Sequence, residues 1–390
     1  MTLPAGIRAD QFDQLLLSAR PMIDLRAPVE FCRGAFPASL SLPLMTDSER
    51  ELVGTCYKQQ GQEAAMALGQ QLVQGAIKEA RVEAWAQQIQ QHPATVIYCF
   101  RGGLRSRIAQ QWLAQTGHPI AFVEGGYKAL RQHCLGRTEA LVEALPALVL
   151  SGRTGTGKTA VLAAFPRYID LEGLAHHRGS SFGKQFDPQP SQIDFESRLT
   201  VSLLTMARVG NQPVAFEDES RLIGRCMLPE CLQAKLKQSP ILVLEDDLEA
   251  RVERILGEYV IAATTERVAR LSDRQQAFDH LAQGLHNSLN KIRKRLGGEA
   301  HKLAQKLLNA ALHKQSRTDN YDAHKDWIRF LLNRYYDPMY DYQLSLKSDR
   351  VVIRGSSVQL QAWLKDYTKE ASGSPTNKKG ATALLSSCIE

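Results

Sequence analysis

The strongest constraint on this chain is an eight-residue pattern, Gly152-Arg153-Thr154-Gly155-Thr156-Gly157-Lys158-Thr159, which matches G-x-x-x-x-G-K-T. It follows an apolar run, Ala147-Leu148-Val149-Leu150, and opens a stretch with helical pattern over 160–165. Strand, glycine-rich loop and helix in that order form a phosphate-binding loop of the Walker A type. Gly152, Gly155 and Gly157 let backbone N–H groups wrap phosphate oxygens. Lys158 supplies a point charge, and Thr159 a hydroxyl for Mg²⁺. Any diphosphate satisfies these electrostatics, so the motif leaves its ligand open. The fold it demands is α/β with a parallel sheet.

Other segments extend that domain. Val214-Ala215-Phe216 and Ile241-Leu242-Val243-Leu244 read as further buried strands. Glu217-Asp218-Glu219 then places acids at a strand end, which suits either a metal site or a solvated acidic turn. Thr159 and Asp218 are the candidate Mg²⁺ ligands. Leu244-Glu245-Asp246-Asp247 with Arg251 and Arg254 resembles the strand and arginine helix of small-molecule kinases, and 176–181 is a second loop able to reach an anion.

At 390 residues the chain is long enough for two or three domains. Its 44% hydrophobic and 23% charged residues exclude a wholly disordered or collagen-like chain. Seven cysteines, an odd number and scattered, argue against a disulfide framework. No apolar run approaches the ~18 residues of a spanning helix, and the N-terminus has no secretory pattern. The expectation is a cytoplasmic protein with no membrane partner. Domain boundaries are expected at 1–140, 146–270 and 271–368, with a disordered tail over 369–390 that is rich in Ser, Thr, Gly and Lys.

The first 140 residues also alternate strand and helix patterns. Strands are expected at 22–25, 95–98 and 120–123, and helix over 63–91. At the end of one strand lies Cys99, followed by Phe100-Arg101-Gly102-Gly103-Leu104-Arg105, with a helix expected over 104–115. A turn at Gly102-Gly103, a helix N-terminus, Arg101 and Arg105 together favour a thiolate at Cys99, and would equally stabilise an anionic persulfide or perselenide on it. The alternative is a buried structural cysteine. This loop resembles that of the rhodanese family, whose sulfurtransferases carry a chalcogen on one cysteine. Ile23-Asp24-Leu25-Arg26, Gly34-Ala35-Phe36-Pro37 and Val123-Glu124-Gly125-Gly126-Tyr127 extend the likeness over about 125 residues, interrupted by a long insert at 47–80. Related phosphatases use a similar loop, so its shape alone does not fix sulfur or selenium transfer.

The net charge is +7, and residues 286–350 hold 13 Lys+Arg against 7 Asp+Glu. An excess so localised fits a polyanion such as nucleic acid, or a solvated face. Leu281, Leu285, Leu289, Ile292 and Leu296 form one apolar stripe, with Lys291, Arg293, Lys294 and Arg295 beside it as candidate tRNA contacts. Leu303, Leu307 and Leu312 suggest a second helix, and Trp327, Ile328, Leu331 and Tyr335 a third. Tyr335, Tyr336, Tyr340 and Tyr342 are available either for stacking on bases or for core packing.

As far as about Lys365 the chain resembles the tRNA 2-selenouridine synthase family, on Gly54-Thr55-Cys56-Tyr57-Lys58-Gln59-Gln60-Gly61, Asp170-Leu171-Glu172-Gly173, Glu217-Asp218-Glu219-Ser220-Arg221 and Tyr335-Tyr336-Asp337-Pro338. The resemblance implies a rhodanese-like domain, a P-loop NTPase-like domain and a basic helical region. It implies an enzyme that converts 2-thiouridine to 2-selenouridine at the wobble position of lysine, glutamate and glutamine tRNAs. The route is S-geranylation from geranyl diphosphate, then selenation with selenophosphate through Cys99. The implied partners are tRNA, geranyl diphosphate, selenophosphate and a protein supplying the latter, with Mg²⁺ the one cofactor and none tightly bound. Two other classes fit parts of the sequence: an ATP-dependent tRNA sulfurtransferase, and a non-catalytic RNA-binding module with a nucleotide switch. The first normally carries an S-G-G-x-D-S-type loop, which the sequence lacks. An intact Cys99 and Lys158 speak against the second.

Overall fold

The computed structural model describes residues 3–372. Contacts divide the chain into two units, Met1–Leu141 with Pro190–Arg208, and Val142–Gln189 with Val209–Glu390.

In the first unit, β1 (Met22–Asp24) lies between β2 (Ser39–Ser41) and β3 (Val96–Tyr98), all parallel. Every residue of β1 and β3 is buried, as continuous apolar runs require of a sheet covered on both faces. Residues 120–123, expected as a strand, contribute only single bridges, Phe122 to Ile97 and Val123 to Ile7. Behind the sheet pack Trp85, Ala109, Leu113 and Ile120. The insert after β2 forms the helix Asp47–Leu72, which starts at a reciprocal cap: Thr46 Oγ1 accepts from the Glu49 amide and Glu49 accepts from the Thr46 amide. Gly61, at φ +84°, breaks its regularity. The helix expected over 63–91 is thus the end of this one plus a separate helix, Gly75–Gln91.

The helix Gln192–Val209 belongs almost wholly to this first unit, although the expected domain of 146–270 contains it. Its Thr200 hydroxyl meets that of Thr138 at 2.8 Å, Glu196 pairs with Arg131, and Asp194 accepts the Ala35 amide at 2.8 Å. Partners more than 60 residues away hold it there, and periodicity does not reveal them.

The second unit is built on a five-stranded parallel sheet in the order β10-β9-β4-β6-β5. Its strands are β4 (Ala147–Gly152), β5 (Tyr168–Ile169), β6 (Val214–Glu217), β9 (Ile241–Leu244) and β10 (Val351–Gly355). A two-residue hairpin, β7 (Leu222–Ile223) with β8 (Cys226–Met227), stands apart. Strand order reverses beside β4, and in such sheets ligands sit at the carboxyl ends of the strands at that reversal. β10 lies within the stretch expected to be wholly helical. It is an edge strand on β9, and Leu360 and Leu364 of the following helix cover the sheet. That helix, Ser357–Ser372, runs four residues into the expected tail; 373–390 lie outside the described residues.

The C-terminal helices Arg274–Lys291, Gly298–Thr318 and His324–Leu331 share one apolar core with Val252 and Ile255 of the helix that follows β9 and with Leu256 just beyond it. Leu281, Leu285, Leu289 and Ile292 are buried there as the stripe predicts, whereas Leu303 is exposed. At the centre His324 is fully buried, with Nε2 2.9 Å from Gln315 Oε1 and Nδ1 accepting from Trp327 Nε1 at 2.9 Å. Burial lowers its pKa to about 4, so the unfolded chain binds a proton there that the folded one refuses. Stability from this residue is complete above pH 6.5 and is lost as pH falls toward 4. Between pH 7 and pH 5 the loss is about 2 kcal/mol. In urea titrations, His324→Gln is expected to shrink the stability difference between those two pH values by about that amount.

Candidate functional site

The loop Gly152-to-Thr159 caps the carboxyl end of the central strand β4, as its sequence demands. Gly157, at φ +78°, turns the chain into the helix Lys158–Leu162, and a Cβ there would stand 3.0 Å from Arg254 Nε. Lys158 Nζ donates to the Gly152 carbonyl at 2.9 Å, folded back over its own loop.

Arginines from the helix Leu248–Ile255 hold the loop in shape. Arg251 is 1% exposed; its Nε donates to the Thr154 carbonyl at 2.9 Å and its fork grips both oxygens of Asp337. Arg254 donates to the Gly155 carbonyl and to Asp246. Arg153 makes a bidentate pair with Asp341, at 3.0 and 2.7 Å. Ser151 Oγ lies 3.2 Å from Tyr340 Oη, whose pKa burial pushes up to about 12. The tyrosine segment thus serves the loop and the core. Tyr335 and Tyr336 are 7% exposed, while Tyr342 is open to solvent.

The acids facing the loop are arranged differently from expectation. Thr159 and Asp218 do not meet. Thr159 Oγ1 donates to Glu217 Oε1 at 2.9 Å, while Asp218 accepts from Ser151 and pairs with Lys347. Neighbouring residues at a strand end diverge, and Glu217, the last residue of β6, points to the threonine. Glu217 also accepts the Glu172 amide at 3.3 Å. With Glu172 and Glu219 it forms a carboxylate group near Lys158. Burial, then mutual repulsion, raises Glu172 and Glu217 to about 8; burial and repulsion from Glu217 lift Glu219 to about 7. Glu172 and Glu219 both close on Gly179, where a Cβ would meet their oxygens at 2.2 and 2.8 Å. The loop 176–181 therefore borders these acids. The acidic stretch is legible in the sequence, whereas Glu172 carries no local signal for this place, and at the strand end Glu217 rather than Asp218 is the residue in contact with Thr159; period-two alternation from β6 is the signal that distinguishes 217 from 218. Among the described residues no three His, Cys, Asp or Glu side chains are arranged to hold a metal ion.

In the first unit Cys99 follows β3 and is 3% exposed, packed with Ile23, Leu25 and Ala109. Gly102, at φ +59°, leaves no room for a Cβ, which would lie 2.5 Å from the Val123 carbonyl. Gly103 caps the helix Leu104–Gln115. The Cys99 and Phe100 carbonyls accept the Tyr127 and Lys128 amides. Among the described residues no acceptor takes the amides of Arg101, Gly102, Gly103, Leu104 or Arg105, a row of free donors after the cysteine. Arg101 is exposed, but Arg105 is engaged: it pairs with Glu30 at 3.2 Å, and Arg50 joins at 3.1 Å. Burial alone would raise the Glu30 carboxyl; Arg105, the Ala27 amide and Arg50 hold it below the usual range.

Lys291, Arg293, Lys294 and Arg295 are all exposed, and none has a carboxylate within 4 Å among the described residues. Arg293, Lys294 and Arg295 occupy the single turn Arg293–Leu296, after the longer helix breaks at Ile292.

A Walker A loop at the reversal point of a parallel sheet places the second unit among P-loop proteins. Residues 145–371 match the family profile described as the tRNA 2-selenouridine synthase AAA domain. The chain is 48% identical to a tRNA 2-selenouridine synthase of Shewanella frigidimarina, covering 93% of this chain and 98% of that one. It is 47% identical to the enzyme of that name from Marinobacter nauticus, over 92% and 98%. The chain belongs to the tRNA 2-selenouridine synthase family.

The carboxylate group gives a direct test of the loop's electrostatics. Glu219→Gln removes one charge from acids that repel one another when ionised. A carboxyl raised on folding costs stability as pH rises from its unfolded value near 4.5 through its folded value. The variant should therefore melt at a higher temperature than wild type at pH 8, with the gain vanishing at pH 5; thermal denaturation at both pH values measures it.

Proposed function

We propose that the chain converts 2-thiouridine at the tRNA wobble position to 2-selenouridine in two stages, with the Walker A loop serving the first and Cys99 the second. The observation that carries this reading is that a Walker A loop and a cysteine followed by a row of free amides occur in one member of this family.

A thiocarbonyl sulfur is a poor leaving group. Attack by that sulfur on the first carbon of geranyl diphosphate forms a C–S bond and releases diphosphate, leaving a thioether. Gly152, Gly155, Gly157 and Lys158 would hold the diphosphate, with Arg254 beside them. Thr159 and Glu217, rather than Asp218, offer the oxygen pair for Mg²⁺, which favours one or two protein ligands completed by phosphate and water. Bound there, Mg²⁺ would neutralise charge on the departing diphosphate. Lys347 already neutralises Asp218.

In the second stage the selenium of selenophosphate, held beside Cys99, attacks C2 and expels geranylthiolate, and water then cleaves the Se–P bond, releasing phosphate and leaving 2-selenouridine. The rhodanese-like reading of the first unit suits this task. Free amides from Arg101 to Arg105 and the charge of Arg101 suit a bound anion such as selenophosphate. Arg105 orients the loop through Glu30.

Two variants separate the stages. Lys158→Ala should fail on thiolated tRNA yet recover much of its activity on pre-geranylated tRNA; Cys99→Ser should make geranylated tRNA and stop. Nucleoside mass spectrometry reads both. Selenouridine from Cys99→Ser at wild-type yield would remove Cys99 from the mechanism, and normal geranylation by Lys158→Ala would give the loop another task.

Docking of tRNA is assigned to the exposed charge at Lys291, Arg293, Lys294 and Arg295. Consecutive helical residues stand ~100° apart, so two or three of the four can face one phosphate backbone. Replacing all four by Ala should weaken binding and flatten the log–log salt dependence by about 0.7 to 0.9 per lost contact. Circular dichroism confirms folding, and an unchanged slope in a folded variant places the tRNA elsewhere.

A further inference from the structure

We infer that the loop from Cys99 to Arg105 is a phosphoryl-transfer site, at which Cys99 takes the phosphoryl group from selenium, holds it as an S-phosphocysteine and yields it to water. The inference rests on the reading that selenophosphate acts in the second stage. It resolves cleavage of the Se–P bond into two steps, both at this cysteine.

Electron balance is the first support. The selenium of selenophosphate is already at the level of selenide, so joining it to a cysteine sulfur by an S–Se bond requires a two-electron oxidant. An S–P bond requires none. After displacement at C2 the nucleoside carries selenium bonded to phosphorus, and its N3 has no proton. The Cys99 sulfur attacks phosphorus: the S–P bond forms, the Se–P bond breaks, and the thiol proton ends on N3, giving neutral 2-selenouridine. Water then cleaves the S–P bond, restoring the thiol and releasing phosphate. Displacement at C2 exchanges one chalcogen leaving group for another and is reversible. Removing the phosphoryl group makes it final.

The loop supplies what a transferring phosphoryl group needs. Five residues separate Cys99 from Arg105, and the amides of Arg101, Gly102, Gly103, Leu104 and Arg105 have no acceptor among the described residues. Charge in phosphoryl transfer spreads over three equatorial oxygens, and fixed amides at a helix N-terminus are donors ready for them. Arg105 engages Glu30 through Nη1 alone, at 3.2 Å, which leaves Nε and Nη2 as a fork for two of those oxygens. Ser106, the next residue, is fully buried, and its hydroxyl has no partner among the described residues. Buried polar groups are ordinarily satisfied, so this is a further donor held open in the first turn of the helix.

The charge also fits. Arg50 places Nε 3.1 Å from the Glu30 oxygen that Arg105 contacts, so two guanidiniums share one carboxylate. Exposed Arg101 has no carboxylate within 4 Å among the described residues. Three cations against Glu30 leave two positive charges in excess, the complement of a dianionic phosphoryl group. Arg50 comes from the helix Asp47–Leu72, the insert that interrupts the rhodanese likeness, and the insert thereby brings a third cation to the cysteine loop.

Rapid-quench mass spectrometry on the full-length protein tests this, with protein in excess over pre-geranylated tRNA and selenophosphate as donor. Wild type should carry one phosphoryl group on the Cys99 peptide within a single turnover, and lose it as inorganic phosphate appears. Cys99→Ser should carry none and leave the tRNA geranylated. Arg105→Lys keeps a charge for Glu30 but lacks the fork. It should slow phosphorylation at least about tenfold, the worth of one hydrogen bond to a charged group. The wild-type measurement involves no substitution, so a folding defect in a variant cannot obscure it. Selenouridine formed with no phosphoryl group on Cys99 at any time overturns the phosphoryl site while selenation stands. A selenium adduct on Cys99 in its place, or phosphorylation that ignores Arg105→Lys, does the same. Wild type that forms no selenouridine from geranylated tRNA overturns the second-stage reading itself, and the inference with it.

Discussion

A guanidinium buried beneath a glycine-rich loop organises the second unit. Arg251, fixed by the helix after β9, donates to the Thr154 carbonyl and closes its fork on Asp337. A buried charge is tolerated only when paired and hydrogen-bonded, and removing one partner of such a pair typically costs ~3–5 kcal/mol. Asp337 thereby ties the segment after Tyr336 to the loop, and Asp341, one helical turn on, repeats the tie through Arg153. Loop, arginine helix and tyrosine segment form one mechanical unit, which explains why helices far along the chain share a core with Val252 and Ile255.

On the other side of the loop the charge balance is deliberately incomplete. Three carboxylates gather near Lys158, and burial with mutual repulsion lifts all of them. Meanwhile Lys158 rests on the carbonyl of Gly152. On the proposed function, an arriving diphosphate would compete for that lysine, and a divalent cation between phosphate and Glu217 would relieve the repulsion. The loop thus holds unfavourable electrostatics that such binding would discharge.

Much of this was legible in the sequence wherever function is local. The Walker A loop, its strand, the strand ending at Cys99 and the helix Leu104–Gln115 lie where their patterns placed them. So does the stripe from Leu281 to Ile292. What escaped depends on partners distant in sequence. β10 is five residues after a long helical stretch, recognisable only by its pairing with β9. Glu217 and Asp218 are equally acidic, and strand register alone decides which one faces Thr159. Arg105 carries the charge expected of it, yet Glu30, 75 residues earlier, has claimed that charge. Tyr335 and Tyr336 have surfaces suited to stacking, and the core took them.

The helix Gln192–Val209 has a consequence for how such a chain can be divided. It is encoded between β5 and β6 of the second unit but buries Phe195, Leu199 and Leu203 within the first. The first unit is therefore discontinuous in the gene. A fragment ending near residue 141 lacks one of its own walls, and one beginning there carries an amphipathic helix with no surface to cover it. The two halves cannot be exchanged as simple cassettes by recombination, nor can the ribosome complete the first before some fifty residues of the second have emerged. Inheritance and synthesis are interlocked by that one excursion of the chain.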